Sequence, residues 1–412
     1  MFYQELEKLQ KDKLLREIRD RAAQAGGGPA AQCSSRIIMD NREYISFASN
    51  DYLGLAGHTA LAAAAKEAMD RYGFGAGASR LLSGGTLLHR ELEERMAEFK
   101  QTEAALVFNS GHAANVSAIP ALAGEGDVLF SDELNHAGII DGCRLSRAKK
   151  VLYRHRDMDH LSGLLEQEQG KRKIIATDTV FSMDGDIAPL GDIYGICLQH
   201  NKRSRGEANT VLYLDDAHGA GVLGNGRGAL SHFNIKPEPW PAPAIIQMGT
   251  FSKALGSYGA FIAAGKSTIE WLINTGRGFI YSTALPACVI AASLAALSLV
   301  QEDQGQGLIK KLWQNRERLF KGLRSLGFNT MDSETPIIPI IPPHLSLNKG
   351  AVHDSGVILK LSERLLSRGI YAPAIRPPTV SIPRIRATIT AAHTEADIDW
   401  LLEALAQTKG KL

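Results

Sequence analysis

The sequence has little cysteine, little excess charge and no long apolar run. Its four cysteines, Cys33, Cys143, Cys197 and Cys288, are far apart and form no CxxC pair, so we predict neither a disulfide framework nor a zinc ribbon. A net charge of +2 over 412 residues leaves no basic surface for nucleic acid. No stretch reaches the roughly eighteen apolar residues of a membrane helix, and the charged start lacks the apolar segment of a signal peptide. We therefore expect a protein of the reducing cytoplasm, without a nucleic-acid or membrane partner.

What the sequence contains instead is a regular alternation of apolar runs and helical segments. Residues 2–24 carry leucines and isoleucine at helical spacing and predict an amphipathic arm that stops at Gly26-Gly27-Gly28-Pro29. A short hairpin follows, with its turn at Asn41-Arg42. Seven strand-like runs come next, at 104–108, 127–132, 150–155, 173–180, 210–216, 244–251 and 260–265. Their alternation with helices predicts an α/β fold with a mainly parallel seven-stranded sheet covered by helices on both faces.

The pattern changes after Tyr281. Two long helical segments, two strands and a closing helix predict a smaller α+β domain, in the order 286–302, 308–325, 336–341, 384–390 and 394–407. We accordingly divide the chain into an N-terminal arm and hairpin (1–58), a large domain (59–285) and a small C-terminal domain (286–412).

Polar residues follow several of the predicted strands directly. Lys253 lies in TFSKALGSYGAF just after one apolar run, Asp215 and His218 end another, and His136 and Ser182 follow two more. Ligands of an α/β sheet bind beyond the carboxyl ends of its strands, so we expect these side chains to converge on one crevice. Each residue alone is more often structural, with the lysine reaching solvent and the aspartate and histidine satisfying one another; their joint placement favours a site.

The lysine among small residues indicates a particular chemistry. Desolvation lowers the pKa of a lysine and exposes its lone pair, which suits Schiff-base formation with an aldehyde. Pyridoxal phosphate is the aldehyde cofactor that acts as an electron sink, and its ring nitrogen needs a carboxylate partner, for which Asp215 is placed. Its phosphate would bind the helix start at Ser110-Gly111-His112, and Thr250 and Ser252 could add hydroxyl groups.

Two other motifs do not carry the chemistry they resemble. GFGAGA at 73–78 has the spacing of a dinucleotide-binding loop, but it follows a helical segment and not a strand, so we expect a loop near a ligand. The polar run from His155 to His160 resembles a metal-ligand cluster, yet no second ligand set is near it in sequence. We predict no metal site there and expect Asp157 or Asp159 to cap a helix.

The chain resembles the α-oxoamine synthases, which are pyridoxal-phosphate enzymes of fold type I, from about residue 47 to residue 405. The resemblance rests on a long ordered set of motifs: SNDYLGL (49–55), GASRLLSGG (77–85), LHRELE (88–93), ELNHAGIIDG (133–142), VFSMDGDIAPL (180–190), DDAHGAGVLGNGRG (215–228), TFSKALGSYGAF (250–261), IYSTALP (280–286), AIRPPTV (374–380) and RATITAAHTEADID (386–399).

This resemblance implies roles for the polar residues at the strand ends. Lys253 would hold pyridoxal phosphate covalently, His136 would stack on its ring and Asp215 would pair with the ring nitrogen. His218 and Ser182 would contact the phenolic oxygen of the cofactor.

The resemblance also implies how the phosphate is bound. The backbone amides of Gly111 and His112 would bind it together with Thr250. Ser282 and Thr283 would reach the phosphate of a neighbouring subunit, which implies a homodimer with shared active sites.

Substrate binding is implied less uniquely. Asn50 and Arg376 would hold the substrate carboxylate, with Arg386 as a second candidate, and Arg19 or Arg21 would help to bind the acyl substrate. The implied reaction is the decarboxylative condensation of L-alanine with a pimeloyl thioester, the thiol carrier being coenzyme A or a carrier protein.

Alternatives remain open from the sequence. Sister enzymes of the family use glycine or serine in place of alanine, as 2-amino-3-ketobutyrate ligase, 5-aminolevulinate synthase and serine palmitoyltransferase do. The same fold also serves as the effector domain of transcription regulators and as inactive partner subunits. We expect neither of the latter, because no DNA-binding segment precedes residue 1 and the reactive lysine is present at 253.

Overall fold

A computed structural model describes residues 2–16, 18–24, 35–204, 209–236, 242–343, 345 and 355–408. The chain forms two compact units. The smaller unit takes in Met1–Gly57, Ser182–Asp186 and Lys310–Leu412, and the larger unit takes in His58–Phe181 and Ile187–Ile309. Among the described helices, none has both the length and the apolar character needed to cross a lipid bilayer.

The strands of the described residues follow one another along the chain with helices between most of them. They are β1 (Ala23–Gln24), β2 (Arg36–Met39), β3 (Arg42–Ser46), β4 (Ala104–Phe108), β5 (Val128–Asp132), β6 (Lys149–Tyr153), β7 (Arg172–Asp178), β8 (Asn209–Asp215), β9 (Ala244–Thr250), β10 (Ala260–Ala264), β11 (Ile337–Ile340), β12 (Ile370–Tyr371), β13 (Ala374–Ile375) and β14 (Arg384–Thr388).

The α-helices of the same residues alternate with these strands through the middle of the chain. They are α1 (Tyr3–Lys11), α2 (Thr59–Tyr72), α3 (Leu87–Lys100), α4 (Gly111–Leu122), α5 (Ala137–Leu145), α6 (Met158–Gln167), α7 (Leu190–Ser204), α8 (Ala229–His232), α9 (Lys266–Thr275), α10 (Arg277–Ile280), α11 (Ala287–Gln301), α12 (Asp303–Ser325), α13 (Ser355–Ser367) and α14 (Glu395–Ala406).

The sheet of the larger unit has the strand order β4-β10-β9-β8-β7-β5-β6. Strands β5 to β9 pair in parallel, and β10 is antiparallel to both of its neighbours. Every residue of β5 and β10 is buried, as expected for strands with packing on both faces. The predicted α/β fold with a mainly parallel seven-stranded sheet is confirmed, and each of the seven apolar runs forms a strand.

The smaller unit contains two further sheets. One has the order β1-β2-β3-β12 and the other the order β11-β14-β13. The predicted hairpin is formed by β2 and β3, and its turn lies at Asp40 and Asn41, one residue earlier than predicted, where both residues have positive φ angles of 50° and 59°. Asp and Asn tolerate that region better than other residues with a side chain, which fixes the turn there.

The N-terminal arm is not the single helix predicted over residues 2–24. Helix α1 ends at Lys11, Lys13 has a left-handed φ of 57°, and Ala23–Gln24 pairs with β2. No residue of α1 is buried, so its apolar stripe gains no packing that would extend the helix. The predicted stop at Gly26-Gly27-Gly28-Pro29 lies outside the described residues, as does Cys33.

The boundaries of the two compact units differ from those of the three parts into which we divided the sequence. The N-terminal hairpin shares a unit with the end of the chain, because β12 pairs in parallel with β3. Helix α11, which we predicted in the C-terminal domain, belongs to the larger unit, since it packs against α2 and α3 and is buried along most of its length.

Candidate active site

The carboxyl ends of three neighbouring strands define the candidate site in the larger unit. Asp178 ends β7, Asp215 ends β8, and the two are paired directly across the strands. Thr250 ends β9, and Lys253 follows it by three residues. Side chains of paired residues on neighbouring parallel strands point to the same face of a sheet. The structure therefore brings together the lysine and the aspartate that the sequence predicted, and adds a second carboxylate.

Asp215 is held by a buried hydrogen-bond network. Asn115 Nδ2 donates to Oδ2 of Asp215 at 2.8 Å, and the backbone N–H of Ala217 donates to Oδ1 at 3.1 Å. The Tyr213 hydroxyl donates in turn to Oδ1 of Asn115 at 2.8 Å. Neither Asn115 nor Tyr213 was predicted from the sequence. The signal that could have found Asn115 is a lone amide in the otherwise small and apolar helix AANVSAIPAL.

The two carboxyl groups compete for one negative charge. Burial raises the pKa of Asp215, while the positive charge of Lys253 and the hydrogen bond from Asn115 act in the opposite direction. Burial and the neighbouring Asp215 raise the pKa of Asp178 well above its usual range. Two buried carboxyl groups on paired residues of neighbouring strands do not both ionise readily. Asp215 accepts hydrogen bonds from the Asn115 amide and the Ala217 N–H, and Lys253 is the largest influence that opposes the rise of its pKa, so the negative charge is favoured on Asp215 over Asp178.

His136 begins the helix that follows β5. Its Nδ1 accepts from the backbone N–H of Gly138 at 3.0 Å, so the neutral ring carries its proton on Nε2. Burial lowers the pKa of His136, the nearby Asp215 raises it, and Lys253 and His112 lower it. The ring is therefore neutral near pH 7 and can donate a hydrogen bond from Nε2.

Gly138 lets three polar side chains approach one another. A Cβ atom there would lie 3.2 Å from both Asn115 Nδ2 and His136 Nδ1 and 3.4 Å from His112 Nδ1. The chain therefore places the amide that holds Asp215 beside the imidazoles of His136 and His112.

His218 is buried on the loop that follows β8, and its neighbour Asp216 holds this loop. Lys100 Nζ donates to Asp216 Oδ2 at 2.9 Å, and Thr179 Oγ1 donates to Oδ1 at 2.8 Å. A Cβ at Gly219 would lie 2.1 Å from Asp216 Oδ1. The sequence DDAHG is thus fixed by its second aspartate, while the first faces the site.

The start of α4 offers an anion-binding end. Ser110 Oγ accepts from the N–H of Ala113 at 3.1 Å and the Ser110 carbonyl accepts from the N–H of Ala114. The preceding amides, those of Gly111 and His112, have no acceptor within the helix. Gly111 packs beside Met248, the residue paired with Asp215.

The hydroxyl of Thr250 is engaged within the protein. Its Oγ1 donates to the carbonyl of Gly259 at 2.7 Å and lies 2.7 Å from Ser252 Oγ. Ser252 itself is exposed. In this arrangement Ser252 is the hydroxyl that can turn towards a ligand, and Thr250 orients it.

Ser282 and Thr283 lie after α10 on the surface of the larger unit. Thr283 is exposed, and its carbonyl accepts from Asn109 Nδ2 at 2.8 Å. Large apolar side chains nearby in the same loops are also exposed: Phe74 by 76%, Leu82 by 80% and Tyr281 by 72%. The bridge between Ser79 and Thr283 joins these loops into one surface.

The smaller unit separates the predicted substrate arginines into two places. Arg386 is buried and donates from Nη2 to Oδ1 of Asn50 at 3.1 Å. Its Nε donates to the carbonyl of Ser182, and its Nη1 donates to Thr388 Oγ1 at 2.9 Å. Three of the predicted residues, Asn50, Arg386 and Ser182, therefore meet at one point.

Arg19 and Arg376 line a different place, a cavity of about 520 Å³ that Lys13 and Arg16 also line. Arg376 Nη2 donates to the carbonyl of Leu15, and its buried Nε has no hydrogen-bond partner among the described residues. Arg21 is exposed and does not line this cavity.

The polar run from His155 to His160 has structural partners. His155 Nδ1 lies 3.0 Å from Asp132 Oδ1, and Asp157 accepts from the N–H of His160 at 2.8 Å as the cap of α6. The predicted cap is confirmed. Over the part of the chain that the structure describes, no group of three or more histidine, cysteine, aspartate or glutamate side chains could hold a metal ion.

The donor set of the larger unit fits pyridoxal phosphate. It combines an amine at Lys253, a buried carboxylate at Asp215 with an ionised form favoured over that of Asp178, and open amides at the start of α4. These are the three groups that an aldehyde, a pyridine nitrogen and a phosphate require.

Comparison with known proteins agrees with this geometry. Residues 42–405 match the family model for aminotransferase classes I and II. The chain is 46% identical to the 8-amino-7-oxononanoate synthase of Geobacter sulfurreducens, over 98% of this chain and 96% of that relative. A solved structure described as SPT with PLP matches with a TM-score of 0.86 at 26% identity, covering 100% and 98% of the two chains. The 8-amino-7-oxononanoate synthase of Francisella tularensis matches with a TM-score of 0.71 at 28% identity, covering 88% and 97%.

The chain therefore belongs to the family of class I and II aminotransferases. Within that family it is similar to 8-amino-7-oxononanoate synthases over nearly its whole length. The predicted resemblance to the α-oxoamine synthases and the fold type I architecture are confirmed.

Proposed function

We propose that the protein is a pyridoxal-phosphate enzyme that condenses L-alanine with a pimeloyl thioester. The products are 8-amino-7-oxononanoate, carbon dioxide and the free thiol, and the reaction belongs to biotin biosynthesis. The observation that carries the proposal is the meeting of Lys253, Asp215 and His136 at the carboxyl end of one sheet, in a chain 46% identical to an 8-amino-7-oxononanoate synthase.

In this proposal the cofactor is held by the larger unit, which takes the role that we assigned from the sequence to residues 59–285. Lys253 Nζ would bind the aldehyde and Asp215 would pair with the ring nitrogen. The amides of Gly111 and His112 would bind the phosphate, with Thr250 orienting Ser252. When bound, pyridoxal phosphate supplies a ring that accepts the electron pair left at Cα of the amino acid. His218 would contact its phenolic oxygen; Ser182, which the sequence predicted for the same contact, belongs to the smaller unit.

Lys253 and His136 move or hold protons in the proposed reaction. The amine of Lys253 would be the base that removes the Cα proton of alanine. His136 is neutral and protonated on Nε2, because Nδ1 accepts from Gly138. It therefore donates a hydrogen bond to the thioester carbonyl oxygen, where negative charge develops as the new bond forms.

The two groups of arginines take different substrate carboxylates. Asn50 and Arg386 bind the carboxylate of alanine. A guanidinium has five N–H donors, and Arg386 contacts Ser182, Thr388, Asn50 and Tyr52, so a donor remains for the substrate. Arg376 and Arg19 bind the distal carboxylate of the pimeloyl chain in the cavity of about 520 Å³. The buried and unpaired Nε of Arg376 supports this assignment.

We also propose a cytoplasmic homodimer with shared sites. The exposed apolar side chains of Phe74, Leu82 and Tyr281 surround the segment of Ser282 and Thr283, and a contiguous apolar patch of this kind is typical of an interface. Replacing Leu82 with Asp should shift the protein from dimer to monomer in analytical ultracentrifugation, and a wild-type protein that is already monomeric would contradict the dimer.

Thiol release tests the reaction itself. The purified protein is loaded with pyridoxal phosphate and supplied with pimeloyl-CoA and either L-alanine, glycine or L-serine. The proposal predicts thiol release with L-alanine well above that with the other two amino acids. Faster release with glycine or serine would assign the chain to a sister activity, and no release with any amino acid and either pimeloyl-CoA or a pimeloyl carrier protein would refute the proposal.

A further inference from the structure

A buried side-chain clasp joins the end of β7 to the loop that carries His136. Asn135 Oδ1 accepts from the backbone N–H of Asp178 at 2.9 Å, and Asn135 Nδ2 donates to the carbonyl of Ala176 at 2.8 Å. In the other direction, Asp178 Oδ2 accepts from the backbone N–H of His136 at 2.6 Å. Asn135 and Asp178 are each 5% exposed, so water does not compete for these bonds.

The clasp restricts the orientation of the His136 imidazole. His136 is the first residue of the turn into α5, and its ring is fixed at one end by the Gly138 amide and at the backbone by Asp178. A side chain held at both points has little freedom to rotate. Without the Asp178 acceptor, the hydrogen bonds that His136 keeps among the described residues all lie within the start of α5.

We propose that Asp178 is a positioning residue for the reaction, which acts by fixing the backbone of His136 and through it the imidazole. The proposal rests on the proposed function in its catalytic part. Asp178 contacts neither the substrate nor the cofactor in this role, and the feature it needs is an oxygen acceptor at the position of Oδ2, not a negative charge.

The groups that surround Asp178 agree with a neutral acceptor. Asp215 and Asp132 act on it as like charges, and Lys253 acts as the opposite charge. Burial therefore favours the protonated form of Asp178, which still accepts a hydrogen bond on its second oxygen.

Three variants test the proposal. Asp178→Asn keeps an acceptor oxygen at the same distance but cannot ionise, and Asp178→Ala removes the acceptor. Asp178→Ser replaces Asp178→Ala if that variant does not fold, because a serine Oγ is too short to reach the His136 N–H. Asn201→Ala is the matched control: Asn201 is buried and accepts from the backbone N–H of Thr210 at 2.9 Å, at the opposite end of the sheet.

The first readout is kinetic. We expect Asp178→Ala to lower kcat by on the order of 10–100-fold with a smaller change in KM for L-alanine, since a misplaced catalytic group loses rate more than binding. Asp178→Asn should recover most of the loss, and Asn201→Ala should keep the wild-type kcat. A kcat of Asp178→Ala equal to that of wild type would overturn the proposal, as would an Asp178→Asn variant as slow as Asp178→Ala.

The second readout needs no catalysis. In the cofactor-free protein, the His136 ring resonances, assigned by their loss in His136→Gln, should move in Asp178→Ala and stay near their wild-type positions in Asp178→Asn. Unmoved resonances in Asp178→Ala would overturn the proposal. A wild-type protein that releases no thiol would refute the proposed function alone, because the resonances still report whether Asp178 positions His136.

Discussion

The two ends of the seven-stranded sheet contain buried polar groups of the same kinds, but those groups have different partners. At the amino ends, Asp127 accepts from Arg172 Nη2 at 2.7 Å and from the N–H of Gly124 at 2.8 Å, and Lys173 Nζ donates to the carbonyl of Leu165 at 2.6 Å. At the carboxyl ends, Asp178 and Asp215 face each other as neighbours on parallel strands. At the amino end the charge of Asp127 is balanced by Arg172, whereas at the carboxyl end two carboxyl groups, those of Asp178 and Asp215, lie side by side.

The pKa directions at the two ends express this difference. Burial raises the pKa of Asp127, but the hydrogen bonds from Arg172 and Gly124 outweigh it and hold that pKa below its usual range. Burial raises the pKa of both Asp178 and Asp215, and their mutual repulsion adds to the shift of Asp178. Buried ionisable groups with strongly shifted pKa values are typical of functional sites, so chemistry is expected at the carboxyl end of the sheet.

The largest effect on kcat should come from replacing the lysine at the carboxyl end of the sheet, in comparison with a lysine replaced at the amino end. Lys253→Ala removes the proposed base and covalent anchor, so kcat should fall by on the order of 10⁴-fold. Lys173→Met, a change of the same residue type at the amino end, should leave kcat unchanged. Steady-state thiol release from both variants checks this, and comparable losses in the two would remove the functional distinction between the ends.

Asp215→Asn should have the next largest effect. An amide cannot hold the ring nitrogen in its protonated form, so kcat should fall by on the order of 10²–10³-fold. Asp127→Asn alters a buried carboxylate of the amino end and should retain the wild-type kcat. Kinetics of the two variants after loading with pyridoxal phosphate make the comparison, and an active Asp215→Asn enzyme would argue against the role of that carboxylate.

Stability should respond with opposite signs at the two ends. The folded pKa of Asp178 is raised, so its contribution to stability is present below about 3.8, its unfolded value, and is lost as the pH rises through the folded value. The folded pKa of Asp127 is lowered, so its contribution is present above the same value and is lost on acidification.

At pH 8, Asp127→Asn should therefore destabilise the cofactor-free protein, by about 1–3 kcal/mol, because the Arg172 hydrogen bonds lose their charged acceptor. Asp178→Asn should preserve or raise stability at the same pH. Urea unfolding midpoints at pH 8 and at about pH 3.5 measure both, because Asp127 takes up its proton only below about 3.8. A gap between Asp127→Asn and wild type that widens on acidification would reverse the assigned sign.

The smallest effect should come from Asn201→Ala. It removes an acceptor for the N–H and hydroxyl of Thr210 at the amino end and should lower the free energy of unfolding by about 1 kcal/mol. The measurement is the urea midpoint at neutral pH, with kcat per cofactor-loaded site as the accompanying control. A loss of kcat at constant stability would mean that the amino end also shapes the site.

The sequence predicted one part of this contrast and missed another. The seven strands and the placement of Lys253, Asp215 and His136 were predictable, because apolar periodicity and strand ends are local features of the chain. Asp178, Asn115 and Tyr213 were not, because their roles depend on which strands are neighbours and in what register. The N-terminal arm was predicted too long for a related reason: its amphipathic pattern does not reveal whether anything packs against it.

The identity of the lysine that holds the cofactor is the most direct test of the proposed site. The full-length protein is loaded with pyridoxal phosphate, reduced with borohydride to fix the cofactor on its lysine, digested and mapped by mass spectrometry. We predict the modification at Lys253, in the peptide that contains TFSKALGSYGAF. Modification of another lysine with Lys253 unmodified would contradict the proposal and would move the reactive site away from the carboxyl ends of β7, β8 and β9.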